Sequence, residues 1–142
     1  MEYRRFENTC FVRLDKGEEV LAGLLAVCRR ENILLATVQG TGTIEDATLT
    51  VRYRRTLEKK AINYRGDMEI AACTGTVTQE EGGPWLHLHM VLANPVEKFC
   101  SGGHLERAMV GLNAEFVLTV CPGQVQRAYD PRTAIDRMQF EG

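Results

Sequence analysis

The alternation of apolar and polar residues over positions 85–92 constrains the fold of this chain more than any other feature. Apolar residues take every second position, at Leu86, Leu88, Met90 and Leu92. His87 and His89 lie between them, on the side shared with Trp85 and Val91. Successive side chains of a β-strand point to opposite faces. The segment therefore predicts a strand with one packed face and one face that carries two imidazoles.

Length and composition predict one globular domain over residues 1–142. The chain is 44% hydrophobic and 25% charged, which is typical of an ordinary folded protein. No apolar run reaches the roughly 20 residues that a bilayer requires. The first residues lack the apolar stretch of a signal peptide, so we expect a cytoplasmic protein without membrane contact. A net charge of −2 argues against non-specific nucleic-acid binding over the whole surface.

The five cysteines predict buried thiols rather than a metal or disulfide framework. Their number is odd, their spacing is wide, and no C-x-x-C pair occurs among Cys10, Cys28, Cys73, Cys100 and Cys121. Four have apolar neighbours and are interpreted as small core residues in a reducing compartment. Cys100 lies near the histidines and is the one candidate for a ligand or a reactive thiol.

One main helix is predicted after a first strand at positions 4–14. Asp15 is placed to cap the helix and Glu18 to reach back to it. Leu residues and Cys28 follow at helical spacing over positions 21–28. Asn32 is the expected stop signal at the end of the helix.

The remaining elements are predicted as strands and loops. Strands are expected at 33–38, 47–53, 68–77, 85–94, 113–120 and 124–129, with a loop at 96–103 and no firm assignment at 106–112. Gly40 and Gly42 indicate a bulge, since the dinucleotide-binding fingerprint is incomplete. Over positions 68–74, Met68, Ile70, Ala72 and Thr74 are expected to share one face. The predicted fold class is α+β, a curled and mostly antiparallel sheet or sandwich with one helix.

All three histidines of the chain lie within positions 87–104. His87 and His89 share one strand face and can reach a common metal ion at bond lengths of about 2.0–2.1 Å. His104 follows Gly102 and Gly103, whose backbone freedom could bring it to the same ion. Three imidazoles with a fourth position open resemble catalytic zinc sites, although nickel, cobalt, iron and manganese also accept such ligands. The alternative is that each histidine is an ordinary surface or hydrogen-bonded residue.

Several carboxylates and basic residues are weaker candidates for functional residues than the histidines. Glu69, Glu97 and Glu115 are candidates to orient a histidine, with solvated or ion-paired glutamates as the alternative. A basic cluster precedes the fourth predicted strand and consists of Arg54, Arg55, Lys59 and Lys60. A solvated loop is the preferred interpretation of this cluster, and a contact to nucleic-acid phosphates is the alternative.

The order of several short motifs resembles that of a known family. These motifs are Arg13-Leu14 to Val20, Cys28 with Asn32-Ile33, Gly40-Thr41-Gly42 with Ala47, Glu69-Ile70, Thr74-Gly75, His87-Leu88-His89, Gly102-Gly103-His104-Leu105 and Glu115. Together they resemble the PPC (plants and prokaryotes conserved) domain, also called domain of unknown function 296. The pair H-L-H and G-G-H-L, in this order, is the most specific part of the match.

The resemblance implies a compact domain in which an antiparallel sheet carries a helix and three copies form a homotrimer. It places the family's histidines, with bound metal, at His87, His89 and His104. It also places Arg13, Glu18 and Glu69 at polar motif positions near the same cleft or at a subunit boundary, with Glu115 as a further candidate there. Plant members carry an AT-hook before this domain, and stand-alone prokaryotic members are commonly described as candidate DNA-binding proteins.

This chain contains no AT-hook. At Arg65-Gly66-Asp67 a carboxylate replaces the second basic residue, so the reader of the A·T-rich minor groove is missing. Any binding of DNA would then require another surface.

Two main hypotheses of function follow. The favoured one is a cytoplasmic homotrimer with a three-histidine site for a divalent transition metal, preferably zinc, which binds a small ligand or supports a hydrolytic or lyase-type step. The alternative is a regulatory or DNA-associated assembly module in which the histidines are structural. A scaffold for protein–protein contacts is a third option.

Overall fold

Eight β-strands and one α-helix make up residues 1–140, the part of the chain that the computed structural model describes. In chain order they are β1 (Glu2–Phe6), β2 (Thr9–Asp15), α1 (Val20–Arg30), β3 (Ala36–Arg52), β4 (Lys59–Glu80), β5 (Gly83–Asn94), β6 (Phe99–Val120), β7 (Gln126–Asp130) and β8 (Ile135–Gln139). Most of these residues lie in strands and one segment forms a helix, which confirms the predicted α+β class.

Four long strands form a closed circuit of hydrogen bonds. β3 pairs with β4 and β6, and β5 pairs with the same two strands, all antiparallel. β2 continues the sheet beyond β6, and β1 lies at its outer edge. The β7–β8 hairpin joins the edge of β4 through one parallel pair, Gln79 with Gln126. This closure confirms the predicted curled, mostly antiparallel sheet.

The core lies between the sheet and α1. The predicted apolar face of β5 is buried, since Leu86 is 7% exposed and Leu88, Met90 and Leu92 are fully buried. α1 contributes Val20, Leu24, Val27 and Cys28 to the same core. Full burial of one such aliphatic side chain stabilises a fold by about 1.5–3 kcal/mol, so the face of β5 opposite the histidines is firmly held.

The N-cap of the helix lies four residues later in the chain than predicted. Glu19, not Asp15, is the N-cap, and its carboxylate accepts from the backbone N–H groups of Leu21 and Ala22, each at 3.0 Å. Glu18 does reach back to the N–H of Asp15, at 2.7 Å, but this contact closes the turn before the helix. The C-terminal prediction is confirmed, because Asn32 adopts a left-handed φ of 52° directly after the C-cap Glu31.

The predicted loop at 96–103 is a turn only as far as residue 98 and is wrong beyond it, and the segment 106–112, left open between strand and turn, is a strand. β6 runs without interruption from Phe99 to Val120. Gly102 and Gly103 pair with Val91 and Met90 inside the sheet. A Cβ atom at Gly103 would lie 2.9 Å from the carbonyl oxygen of Thr50, so the backbones approach closely here. The glycines permit close strand packing and do not form a flexible loop.

Bulges explain the other differences. The register of β3 shifts between Gly40 and Gly42, where Gly42 has a φ of +141°, as the glycines predict. An unpredicted shift lies between Ile70 and Ala72 on β4. It reverses the faces beyond that point, so Cys73 is buried whereas Ala72 and Thr74 are exposed. The prediction that Ala72 and Thr74 share a face with Met68 and Ile70 is therefore wrong.

Three of the four cysteines predicted as core residues are buried. All five cysteines are free thiols, with Cys10, Cys28 and Cys73 buried and Cys100 exposed on β6. Burial raises the pKa of the Cys28 and Cys73 thiols to about 12, which keeps them protonated.

Within residues 1–140, no helix has the length and apolar character needed to cross a bilayer.

Candidate metal centre

The three histidines lie on two adjacent strands. His87 and His89 project from β5, on the face opposite its buried leucines, as the alternation predicts. His104 projects from β6, directly opposite His89 in the antiparallel register. The buried apolar face of β5 and the pairing of β5 with β6 hold the three histidine side chains on the same face of the sheet.

The geometry of the cluster suits one metal ion. The ring centroid of His87 lies 5.2 Å from that of His89 and 5.2 Å from that of His104, and the last two are 5.7 Å apart. One nitrogen from each ring lies within 4.8 Å of the others. Ligand atoms of a tetrahedral zinc ion are about 3.4 Å apart, so small ring rotations would bring the three nitrogens to one ion.

The surroundings of the cluster keep two rings neutral at pH 7. Burial, the Arg127 guanidinium and the other two histidines lower the pKa of His87 to about 4. Burial is also the largest cause that lowers the pKa of His104, with the nearby Glu106 carboxylate acting in the opposite direction. A neutral imidazole is the form that binds metals, so these shifts prepare the site for a cation.

Arg127 on β7 lies beside the cluster. Its Nη2 donates to Nδ1 of His87 at 3.4 Å. Its Nε donates to the Thr78 hydroxyl at 2.8 Å, and its Nη1 donates to the carbonyl oxygen of Asp136 at 2.9 Å. Two of the three contacts fix the guanidinium in place, and the third points it at a candidate metal ligand.

A cavity of about 660 Å³ opens in front of the histidines. Its walls combine apolar and charged side chains from α1, β3, β4, β5, β6 and the β7–β8 hairpin. Those that bear on the chemistry of the cavity are Leu21, Leu25, Trp85, Arg52, Lys59, Glu106, Arg127, Ile135 and Asp136. The volume is in the range of small-molecule sites, with apolar walls and a few converging polar groups.

The other candidate residues lie elsewhere. Arg13 and Glu115 face each other on β2 and β6 and line a second groove of about 820 Å³. Glu18 pairs with the N-terminal amine, and Glu69 is exposed on β4. Neither Glu97 nor these four residues lines the histidine cavity. Their placement at a subunit boundary stays a prediction.

The sequence analysis did not identify four charged residues of the cavity, which are Arg52, Glu106, Arg127 and Asp136. Glu106 lies two residues from His104 on the same strand, a spacing that could have indicated a shared face. Arg127 and Asp136 come from the C-terminal hairpin, and no local pattern signals where that hairpin docks.

The basic cluster is only partly available for a partner. Lys59 forms an ion pair with Glu106, and Lys60 lies 3.9 Å from Glu58 and over the ring of Tyr53. Arg54 and Arg55 are exposed at the turn between β3 and β4. The turn and the first residues of β4 therefore replace the predicted loop.

Two solved structures resemble the chain over nearly its whole length. A candidate DNA-binding protein from Bacteroides thetaiotaomicron is 26% identical, with a TM-score of 0.92, covering 98% of this chain and 96% of that one. A metal-containing protein from Archaeoglobus fulgidus is 22% identical, with a TM-score of 0.86, covering 98% and 97%. The second likeness shows a shared fold alone.

A more distant likeness links the fold to an enzyme. Acetolactate decarboxylase from Bacillus subtilis is 10% identical, with a TM-score of 0.59, and the match covers 82% of this chain. The chain corresponds to 54% of that enzyme, so the relation is one of fold. No curated protein matches the sequence.

The resemblance to the PPC family that the order of the motifs predicts is confirmed. A model of the family matches residues 1–122, a span that includes all three histidines and the strands that carry them. The chain belongs to the Plants and Prokaryotes Conserved (PCC) domain family.

Proposed function

We propose that His87, His89 and His104 bind one divalent transition metal, preferably zinc. The observation that carries the proposal is the approach of three imidazole nitrogens to within 4.8 Å of one another. Three nitrogen ligands are typical of catalytic zinc sites, in which a fourth position stays open for water or substrate. The lowered pKa of His87 and of His104 supports it, because neither ring needs to lose a proton at pH 7.

We further propose that this centre binds a small ligand in the adjoining cavity and supports a hydrolytic or lyase-type step. When bound, the metal would polarise a carbonyl or lower the pKa of a bound water. The chain supplies the walls of the cavity, where Leu21, Leu25 and Trp85 present apolar surface and Arg127 places a positive charge.

Two similar proteins support this proposal. The similar Archaeoglobus protein is described as metal-containing. The distantly similar Bacillus subtilis enzyme is a decarboxylase, and decarboxylation is a lyase-type step.

Elemental analysis of the tag-free protein, purified without chelator, tests the metal site. We expect about one equivalent of transition metal per chain, and its loss when His87, His89 and His104 are together replaced by Ala. The chain has three histidines, so no other imidazole can take over. The control is Cys100→Ser, which removes an exposed thiol from β6 and should leave the metal in place.

Metal-free wild-type protein that also fails to take up added zinc would refute the proposal. Retention of metal by the triple variant would refute the assignment of the ligands.

We also propose that the protein is a cytoplasmic homotrimer in which neighbouring subunits close the cavity. Large apolar side chains remain exposed beside it, with Val51 56% and Ile135 45% accessible in the single chain. Contact with another copy would bury this surface. Light scattering coupled to gel filtration should give three times the chain mass, and a monomeric mass at micromolar concentration would refute the trimer.

DNA binding is the second candidate function. Two observations favour it: the similar Bacteroides structure, described as a candidate DNA-binding protein, and the exposed Arg54 and Arg55. Binding to an A·T-rich duplex should weaken with salt and after replacement of Arg54, Arg55, Lys59 and Lys60 by Gln. No binding at low salt would remove this candidate.

A further inference from the structure

We propose that Arg127 binds the carboxylate of a small anionic ligand beside the three-histidine centre, and that metal binding by His87 releases the arginine for this role. The inference rests on the proposed metal site and adds the chemical class of its ligand. It also gives a function to the C-terminal hairpin, since Arg127 lies beyond residues 1–122, the part that matches the family model.

The charge of Arg127 determines which ligands it can bind. An arginine stays protonated in proteins, and its nitrogens can only donate hydrogen bonds. The three acceptors of Arg127 are the Thr78 hydroxyl, the Asp136 carbonyl oxygen and Nδ1 of His87, all of them neutral groups. Within residues 1–140, the half-buried guanidinium therefore brings positive charge to the cavity without a hydrogen bond to a carboxylate.

The hydrogen bond from Arg127 determines which nitrogen of the His87 ring carries the proton. A neutral imidazole has one nitrogen with a free lone pair and one that carries a proton. Because Arg127 donates to Nδ1, that nitrogen holds the lone pair, and Nε2 carries the proton. A metal that binds either nitrogen takes the one lone pair, directly at Nδ1 or after the proton moves from Nε2 to Nδ1. In both cases the hydrogen bond from Arg127 is lost.

The released Nη2 stays at the cavity because the other nitrogens of the guanidinium remain bound. Nε and Nη1 stay anchored to Thr78 and Asp136, so the guanidinium remains at the cavity wall. Of the other cations there, Lys59 is already paired with Glu106, and Arg52 donates to the Leu57 carbonyl oxygen. Arg127 is thus the cation next to the histidines whose donor becomes available. Its planar fork suits a carboxylate, which a metal with an open position also binds.

The test uses the full-length protein loaded with Co²⁺, whose absorption reports changes in coordination, and acetate as the probe. Acetate should change the cobalt spectrum of both the wild-type protein and Arg127→Gln. The concentration needed for half of the change should be roughly tenfold or more higher in Arg127→Gln than in the wild type, as expected for the loss of a charge-assisted hydrogen bond. Neutral acetamide should show no such difference between the two proteins. The matched control is Arg65→Gln, which removes a guanidinium that is 80% exposed and paired with Asp46.

Arg127→Gln should bind Co²⁺ as tightly as the wild type or more tightly, because a nearby positive charge is removed. A second variant, Thr78→Val, keeps all charges and removes the acceptor of Nε, so it should weaken acetate binding by a smaller factor. It also keeps the inference testable if the hairpin of Arg127→Gln fails to dock.

The outcomes separate the two proposals. If the wild-type protein binds no Co²⁺ or Zn²⁺, the metal site itself is refuted. If metal binds and acetate affinity is the same in the wild type, Arg127→Gln and Thr78→Val, the role of Arg127 is refuted and the metal site stands. Weakened acetate binding in Arg127→Gln with unchanged binding in Arg65→Gln supports the inference.

Discussion

His89 and His104 occupy directly opposed positions on β5 and β6, and their rings meet edge to face with centroids 5.7 Å apart. Opposed residues of an antiparallel pair have Cβ atoms about 4.5–5.5 Å apart on the same face. The register of these two strands therefore sets the distance between the two imidazoles. His87 joins them because it lies two residues from His89 on the same face of β5.

Replacement of His89 by Ala should separate metal binding from stability. His89 is exposed, so the metal-free variant should lose no more than about 0.5 kcal/mol of unfolding free energy. Zinc at 100 times its dissociation constant should stabilise the wild-type protein by about 2.7 kcal/mol and the variant far less. Urea unfolding with and without zinc measures both quantities.

The matched control for His89→Ala is Thr74→Ala. Thr74 is the exposed partner of His89 on its other neighbouring strand, β4. Its replacement disturbs the same sheet position and leaves all three imidazoles, so stabilisation by zinc should persist. Equal stabilisation of all three proteins would show that zinc binds elsewhere.

Gly75 on β4 is expected to control the position of the histidine strand. A Cβ atom there would lie 1.9 Å from the carbonyl oxygen of His87 and 2.8 Å from Cδ2 of Leu88. Gly75→Ala must push β5 away from β4, at a cost of about 1–3 kcal/mol in unfolding free energy. It should also weaken zinc binding, because His87 and His89 move with β5.

Gly82 provides the comparison for Gly75. A Cβ atom at Gly82 meets nothing within 4 Å, so Gly82→Ala should change stability by less than about 0.5 kcal/mol. Urea unfolding and zinc titration of the two variants test the pair. Similar losses for both would mean that the contact between β4 and β5 at Gly75 does not position the histidines.

The local alternation on β5 was sufficient to predict its buried face and the shared direction of His87 and His89. Asn32 likewise marked the end of α1, and the glycines of β3 marked a bulge. These features depend on residues close together in the chain. The pattern of each segment alone contains the information that determines them.

What could not be predicted depends on contacts between distant segments. Gly102 and Gly103 indicate a loop when considered alone, and they are strand residues because β5 and β3 pack against them. The bulge at Ala71 reverses the faces of β4, although no glycine or proline marks it. Arg127 reaches the histidines because the C-terminal hairpin docks on β4 beside Thr78.

Glu19 should contribute to stability at two points of the fold. Its carboxylate accepts from the N–H groups of Leu21 and Ala22 at the start of α1 and from the N–H of Ala108 on β6 at 3.1 Å. Glu19→Ala leaves these three donors, two of them partly buried, without that acceptor, so we expect a loss of about 1–3 kcal/mol. Urea unfolding measures this loss.

Glu81→Ala serves as the control for Glu19→Ala, since Glu81 is an exposed residue of the turn between β4 and β5. It removes the same carboxylate charge and should change stability by less than about 0.5 kcal/mol. If the two variants lost the same amount, charge rather than the contacts of Glu19 would be the cause.

The stability of the metal-free protein should fall as the pH is lowered from 7 to 5. The pKa of His87 is lowered to about 4 in the folded state, from an ordinary value of 6.5. Between these values the unfolded chain binds more protons than the folded protein at this position, so acid favours unfolding. His104, whose pKa is also lowered, acts in the same direction.

One carboxylate opposes the histidines in this window, because burial raises the pKa of Glu80 and the folded state then gains stability as the pH falls. Asp15, Glu18 and Asp46 have pKa values below their ordinary 3.8–4.5, so their stabilising effect is lost as the pH falls through that range and lower. Urea unfolding of the wild type and of His87→Gln at pH 7, 6 and 5 isolates the contribution of His87, because Glu80 is present in both proteins. In His87→Gln the amide oxygen can still accept from Arg127, whereas the titrating group is gone. This variant should show a shallower pH dependence than the wild type, and an equal slope in both would contradict the burial of a neutral His87.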